Sequence, residues 1–174
     1  EIAQCLVGSE MCIRDREDPL CQKLKECLLE QFRILHDEKF VRTFFVGGAL
    51  GVDMWAGEQL LTLRAQTGYE DIKIIVVIPF IGYDSKWPDQ SKHRLKKLIQ
   101  NSNDSIVISH SADVSSYKKR NYYMVDHAEY IIGVFDNQKK LRSGTAQTVN
   151  YALHQGKVIT LIHPDTMEIT APAP

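Results

Sequence analysis

A short stretch in the first third of the chain joins a strand pattern, a glycine turn and a helical pattern, and it constrains the fold more than any other segment. Val41 to Val46 is mostly β-branched and aromatic, which is typical of a buried strand. Gly47, Gly48 and Gly51 follow, and their lack of side chains suits a backbone that must turn sharply. Apolar residues then recur at helical spacing, so a helix is predicted to begin near Gly51 or Val52.

This strand–turn–helix unit predicts an anion site. A glycine turn that leads into a helix directs free backbone N–H groups and the positive end of the helix dipole at one spot, where a phosphate fits. Asp53 lies in the first helical turn, from where its carboxylate would accept hydrogen bonds from ribose hydroxyls. Structural alternatives stay open, because glycines between a strand and a helix often serve the turn alone and Asp53 would also suit a helix cap.

The rest of the chain repeats the alternation of strand and helix patterns. Strands are predicted near residues 42–46, 73–78, 105–109, 130–135 and 158–162. Helical patterns separate these runs, and another helix precedes them, with Asp18 as its N-cap and Pro19 at its first position. This order predicts a single α/β domain with right-handed crossovers and a mainly parallel sheet of five or six strands.

Polar and aromatic residues that follow the predicted strands are candidate ligand contacts, since ligands of such sheets bind beyond the carboxyl ends of the strands. Ser143-Gly144-Thr145 opens a second helix at this edge, and two neighbouring anion sites suit a nucleotide or phosphoribosyl ligand. Arg120 would grip a phosphate with two nitrogens, and Trp87 would stack on a base. A surface arginine, an ordinary serine cap and a core tryptophan are the structural alternatives. The candidate ligand-binding residues are Gly47, Gly48, Gly51, Asp53, Pro79, Phe80, Trp87, Arg120, Asn121, Asp136, Ser143, Gly144 and Thr145.

Four spaced motifs carry a family resemblance. GGALGVDMWAGE at 47–58 resembles the signature of the YpsA-like branch of the SLOG superfamily, which also holds the LOG-type phosphoribohydrolases and DNA-processing protein A. IPF at 78–80 with Trp87, RNYYMVD at 120–126 and SGTAQTVNYA at 143–152 follow in the order of the family. The resemblance covers roughly residues 17 to 164. It implies a Rossmann-like three-layer sandwich that binds a nucleotide-derived ligand.

The same resemblance bears on catalysis. LOG-type enzymes carry a GGxGTxxE motif whose glutamate supports N-glycosidic cleavage, and Thr148 stands at that position here. We therefore expect a ligand-binding or sensor module that is not a catalyst. A nucleotide N-glycosidic hydrolase that uses Glu58 is the alternative, although Glu58 would also serve as a helix-surface carboxylate or a partner of Arg64. Binding of single-stranded DNA, as in DNA-processing protein A, is a second alternative, favoured only by the basic helix at residues 92–97.

The first 16 residues depart from this pattern. Cys5 to Arg16 (CLVGSEMCIRDR) resembles the translated read-through of a sequencing-library adapter, whereas YpsA-like proteins begin with an apolar strand and a TGHRP-type loop. We expect residues 1–16 to be foreign to the fold or poorly integrated, residues 17–164 to form the domain, and residues 165–174 to be a flexible tail. In an alternative, Ile2 to Val7 fills the position of the missing strand.

Composition narrows the expected partners. The formal net charge of −1 argues against nucleic acid and an anionic membrane surface as partners. No apolar run approaches the roughly 20 residues that span a bilayer. The six histidines and four cysteines show no metal-ligand spacing, so we expect no metal site and a reduced, cytoplasmic setting. A nucleotide or nucleotide derivative is the only small molecule predicted, and the sequence leaves a homo-oligomer open.

Overall fold

Strands and helices alternate along the chain in the computed structural model, which describes residues 2–7, 18–136 and 144–172. The strands are β1 (Ile2–Val7), β2 (Thr43–Val46), β3 (Lys73–Phe80), β4 (Asp104–Ser109), β5 (Tyr130–Val134), β6 (Val158–Ile162) and β7 (Ile169–Thr170). The helices are α1 (Pro19–Lys39), α2 (Val52–Arg64), α3 (Asp89–Asn101), α4 (Ser115–Asp126) and α5 (Gly144–His154). None of these helices is long and apolar enough to cross a membrane.

The strands form one sheet in the order β4-β3-β2-β1-β5-β6-β7. Strands β1 to β6 are parallel, and only β7 runs antiparallel to its neighbour β6. The predicted α/β fold with a mainly parallel sheet is therefore confirmed, and the five predicted strands correspond to β2 to β6. The sheet has seven strands where five or six were predicted, because β7 pairs within the residues 165–174 that we expected to be a flexible tail.

Strand β1 lies in the middle of the sheet. It pairs with β2 on one side and with β5 on the other, and Ala3 is fully buried. This is the arrangement that the sequence left open as an alternative, in which Ile2–Val7 fills a strand position. Residues 8–16 of the same segment lie outside the described residues, and the predicted domain boundaries at residues 16 and 164 stay predictions.

Helices cover both faces of the sheet, which explains why its strands are apolar on both sides. Ile74, Val76 and Ile78 of β3 join a core with residues of α1, α2 and α3. The alternate residue Val77 faces the opposite side, where it packs with Met124 of α4. Residues of α4 and α5 complete this second layer over β5 and β6. The molecule is thus a three-layer sandwich, as the resemblance implied.

The order of the strands predicts a crevice at one place along the carboxyl edge of the sheet. The chain moves outward from β1 through β2 and β3 to β4, and then returns to the other side of β1 to form β5 and β6. A crevice is expected where two neighbouring strands continue in opposite directions, here beyond the carboxyl ends of β1 and β5. Residues 8–17 and 137–143 follow these two strands and lie outside the described part of the chain.

Candidate ligand-binding site

The glycine turn between β2 and α2 has the backbone that the sequence predicted. Gly48 and Gly51 have φ angles of 62° and 84°, a region that residues with a side chain rarely occupy. Gly47 is required for a different reason, since a Cβ atom there would lie 2.5 Å from Oδ2 of Asp53. A Cβ on Gly48 would lie 2.9 Å from the hydroxyl of Tyr83, which donates a 2.6 Å hydrogen bond to the Gly48 carbonyl. The turn therefore packs closely against the protein interior.

Asp53 lies beneath this turn and is only 2% exposed. Its Oδ2 accepts a long hydrogen bond of 3.4 Å from the Ala49 N–H and lies 3.9 Å from Nη1 of Arg120. Its Oδ1 is buried and has no hydrogen-bond partner among the described residues. Burial raises the pKa of Asp53, and the charge of Arg120 and hydrogen bonds from the turn oppose that rise only in part. The Asp53 carboxylate thus supports the turn from inside, and the predicted ribose contact stays a prediction.

Arg120 of α4 ties the glycine turn to the opposite helical layer. Its Nη1 donates a 2.7 Å hydrogen bond to the carbonyl of Gly47, and its Nε donates to Oδ1 of Asn121 at 3.0 Å. The residue is 6% exposed. We predicted a guanidinium free to grip a phosphate with two nitrogens. In this structure the guanidinium holds the backbone of the turn, and the phosphate contact stays a prediction.

The hydrogen bonds continue from Arg120 to the start of α5. Nδ2 of Asn121 donates to Oγ1 of Thr148 at 3.2 Å, and this hydroxyl donates to the carbonyl of Gly144 at 2.7 Å. A chain of hydrogen bonds thus joins Gly47 to Gly144, so the two predicted anion sites belong to one connected structure. Thr148 had been considered only as a replacement for a catalytic glutamate. Its spacing of four residues from Gly144 was the available signal, since a threonine in a helix often bonds the carbonyl four residues earlier.

A cleft of about 510 Å³ opens between the N-terminal halves of α4 and α5. We call it the α4–α5 cleft; its lining residues are Val114, Ser115, Tyr117, Lys118, Asn121, Tyr122, Gly144, Gln147 and Thr148. Gly144 is exposed at its wall, and a Cβ atom there would meet no atom within 4 Å. The described lining holds a lysine and two carboxamides but no carboxylate. Two of the sequence candidates, Asn121 and Gly144, line this cleft.

Sequence reasoning missed the other polar and aromatic groups of the cleft. Lys118 and Tyr122 are four residues apart on α4, and the ammonium group of Lys118 lies 5.2 Å from the centre of the Tyr122 ring. The Tyr122 ring also stacks on Tyr151 of α5, with 3.8 Å between ring centres and 6° between ring planes. Helical spacing from Asn121 was the signal that could have found Lys118, since residues three apart lie on one face.

The remaining aromatic candidates border the site without lining the cleft. Phe80 contacts Tyr117 edge to face, with 5.8 Å between ring centres, and Tyr117 itself lines the cleft. Trp87 is half-buried and packs against Tyr83 at 5.3 Å. Pro79 is buried within β3. The structural alternative that we gave for the tryptophan, packing against other side chains, describes its position in this structure.

Three further candidates lie in other surroundings. Glu58 forms a two-point ion pair with Arg94 of α3, at 2.7 and 2.6 Å, and lines a groove between α2 and α3. It does not pair with Arg64, which donates to the carbonyl of Asn101 at the end of α3 and to the side chain of Asn103. Asp136 is half-buried just after β5, and Ser143 falls outside the described residues. Within the described ranges, no group of three His, Cys, Asp or Glu side chains is arranged to hold a metal ion.

The family model of YpsA, described as the YspA SLOG family, matches residues 7–167. The uncharacterised SPbeta prophage-derived protein YoqJ of Bacillus subtilis is 33% identical over 164 residues, which cover 86% of this chain and 92% of that protein. A UPF0398 protein of Staphylococcus epidermidis is 26% identical over 133 residues, which cover 75% of this chain and 69% of that protein.

Two solved structures share the fold. DNA processing protein A from Streptococcus pneumoniae has a TM-score of 0.58 and 18% identity, with 92% of this chain and 49% of that chain covered. DNA processing protein A from Helicobacter pylori, described for its single-stranded DNA binding mode, has a TM-score of 0.59 and 20% identity, with 92% and 64% covered. The chain thus spans less than two thirds of either solved protein. At these identities the likeness establishes the Rossmann-like fold alone. The family match, in contrast, rests on the sequence itself and extends from the end of β1 to the turn before β7. This chain accordingly belongs to the YpsA family of the SLOG superfamily.

Proposed function

We propose that this protein binds a nucleotide-derived ligand in the α4–α5 cleft and releases it unchanged. The observation that carries the proposal is the position of the cleft, which opens at the N-terminus of α5 and at the carboxyl edge of a doubly wound sheet. The N-terminus of a helix is the positive end of its dipole, and a phosphate is favoured there. Gly144 leaves this end of α5 without a side chain in the way.

The other lining groups suit the rest of a nucleotide. Lys118 supplies a positive charge beside the helix terminus, and the carboxamides of Asn121 and Gln147 would bond a base or a sugar. Tyr117 offers an aromatic surface for stacking. We further propose a cytoplasmic location, since Cys27 is a free thiol in the described chain.

Binding without hydrolysis is favoured by the chemistry of Thr148. Its hydroxyl accepts a hydrogen bond from Asn121 and donates one to the Gly144 carbonyl, so it is committed to holding α4 and α5 together. The alternative hydrolase would need a carboxylate near the scissile bond, and Glu58 is paired with Arg94 on the far side of α2. Release of free base from adenosine monophosphate, followed by chromatography, tests this point. Robust release that persists in Glu58→Gln would contradict both the binding-only proposal and the role considered for Glu58.

Calorimetric titration with adenosine monophosphate, adenosine and inorganic phosphate tests the site. We expect Lys118→Ala to weaken binding of the monophosphate by roughly ten- to a hundredfold, the value of one charge-assisted contact. Lys119→Ala is the matched control, because Lys119 is exposed on the same helix and does not line the cleft. Gly144→Leu should also block binding while leaving the fold intact, since its side chain enters open space. Unchanged affinity in both Lys118→Ala and Gly144→Leu would refute the site.

A single-stranded DNA surface is the second candidate, and one observation favours it beyond the likeness of fold. The exposed face of α3 carries Lys92, His93, Lys96 and Lys97 in two successive turns. A backbone-binding surface of this kind would show an affinity for oligothymidylate that falls steeply with salt. Anisotropy titrations at several salt concentrations, with Lys96→Glu/Lys97→Glu as the variant, separate this function from the cleft, whose variants should leave DNA binding unaffected.

A further inference from the structure

Strand β4 leaves one long edge of the sheet open. It pairs only with β3 among the described strands, and Asp104, Ser105 and Val107 are exposed. An edge strand of this kind presents a row of unpaired backbone N–H and C=O groups. Proteins commonly guard such edges with lysine, proline or a bulge, and residues 104–110 (DSIVISH) contain neither lysine nor proline. The opposite edge, β7, has only two residues and offers little to pair with.

The sequence of β4 is nearly symmetric about Val107. The order Ser-Ile-Val-Ile-Ser occupies residues 105–109, with Asp104 before it and His110 after it. If β4 runs antiparallel to a second β4 with the two Val107 residues opposite each other, every serine faces a serine and every isoleucine an isoleucine. The same register places Asp104 of each copy opposite His110 of the other. One acidic and one imidazole side chain thus meet at each end of the pair.

We propose that two copies of this chain associate through β4, antiparallel about a two-fold axis at Val107, to form one continuous sheet. A two-fold interface requires a surface that is complementary to itself, and this segment meets that requirement in both apolar and polar positions. Ile106 and Ile108 pack against the cluster of Phe45, Val77 and Met124 on the α4 side while remaining partly exposed. Pairing would complete their burial, and it would cover Val107, which is 37% exposed on the other face.

The end groups are free to take part. Oδ1 of Asp104 accepts a 2.7 Å hydrogen bond from the N–H of Ser105, and its other oxygen remains available for an imidazole N–H. His110 is exposed directly after the strand. An opposite-charge or hydrogen-bonded pair directly across two strands stabilises that register, and like charges in the same positions oppose it. The end pairs therefore select the register centred on Val107 over registers shifted by two residues.

Sedimentation velocity of the whole chain, from about 1 to about 100 μM, tests the association. We expect a concentration-dependent dimer. Val107→Lys should weaken it by more than roughly tenfold, because a residue on the axis faces its own copy and a single substitution therefore opposes two like charges. Val158→Lys is the matched control, since Val158 is an exposed valine at the start of another strand and should leave the dimer unchanged. Circular dichroism establishes that both variants are folded.

A charge exchange tests the register independently. Asp104→Lys and His110→Glu should each weaken the dimer, and the double variant should recover it because the opposite charges face each other again. A monomer throughout the concentration range would overturn the proposal. A dimer that withstands Val107→Lys would place the interface elsewhere, and a double variant no stronger than the single ones would overturn the register. None of these outcomes depends on the ligand proposed for the α4–α5 cleft.

Discussion

Replacing Gly48 by alanine should destabilise the fold. The φ angle of 62° costs a residue with a Cβ about 1–2 kcal/mol. The new Cβ would also lie 2.9 Å from the Tyr83 hydroxyl and 3.1 Å from Cγ1 of Val76, so the buried hydrogen bond from Tyr83 to the Gly48 carbonyl must lengthen or break. Such a loss costs about 1–3 kcal/mol. The total expected decrease in the free energy of unfolding is roughly 2–5 kcal/mol.

Urea denaturation followed by circular dichroism measures this decrease directly. Tyr83→Phe removes the hydrogen bond without backbone strain, so it should show only the part of the loss that comes from the hydrogen bond, about 1–3 kcal/mol. Gly144→Ala is the control glycine, because its Cβ would meet nothing within 4 Å and its free energy of unfolding should change little. A Gly48→Ala variant within about 0.5 kcal/mol of the wild type, the usual range for surface substitutions, would refute the reasoning.

Three further predictions concern buried or paired charges and the pairing of strand β1 within the sheet. Burial raises the pKa of Asp53 in the folded protein above its ordinary value of 3.8. The stability that protonated Asp53 contributes is therefore complete below pH 3.8 and is lost as the pH rises through the folded pKa. Urea denaturation at several pH values should accordingly show that Asp53→Asn becomes more stable relative to the wild type as the pH rises. Hydrogen bonds from His36 lower the pKa of Asp37 and of Asp71. The stability that these two carboxylates contribute is present above their ordinary pKa of 3.8 and is lost as the pH falls through their lower pKa values in the folded protein. His36→Gln should thus lose stability at neutral pH, and its deficit should shrink in acid. Deleting residues 2–7 should abolish cooperative unfolding, because β2 and β5 lose their shared neighbour; a deletion variant that melts like the wild type would instead favour the expectation that this segment is foreign to the fold.

The layout of the fold could be predicted because its signals are local. Each strand from β2 to β6 is an apolar run of strand length, and α1 begins at the predicted cap, where Oδ1 of Asp18 accepts a 2.8 Å hydrogen bond from the N–H of Leu20. The positive φ angles of Gly48 and Gly51 likewise follow from glycines placed between a strand and a helix. Strand β7 gave no such signal, since its two exposed residues are paired only because β6 lies beside them.

The direction of side chains at the site could not be predicted, because it depends on residues distant in the sequence. Asp53 faces inward since Arg120, on another helical layer, supplies a counter-charge beneath the turn. The sequence offered Glu58 as a substitute catalytic acid. In the structure Glu58 forms an ion pair with Arg94 of the next helix, α3, and so does not line the α4–α5 cleft. The motifs predicted a set of residues near the carboxyl edge, of which Asn121 and Gly144 line the α4–α5 cleft. They did not predict which of these residues support the backbone of the turn.

Under the proposed function, the position of Asp53 and Arg120 keeps the glycine turn ready for a ligand. Burying two charges costs free energy that a pair 3.9 Å apart recovers only in part, and Oδ1 of Asp53 has no partner among the described residues. A stable fold does not need such a pair at this place, whereas a binding site gains from a turn that is already rigid, because less freedom is then lost on binding. The hydrogen bonds through Asn121 and Thr148 extend this rigidity to the start of α5. A ligand that binds in the α4–α5 cleft would therefore alter the surroundings of the glycine turn without touching Asp53.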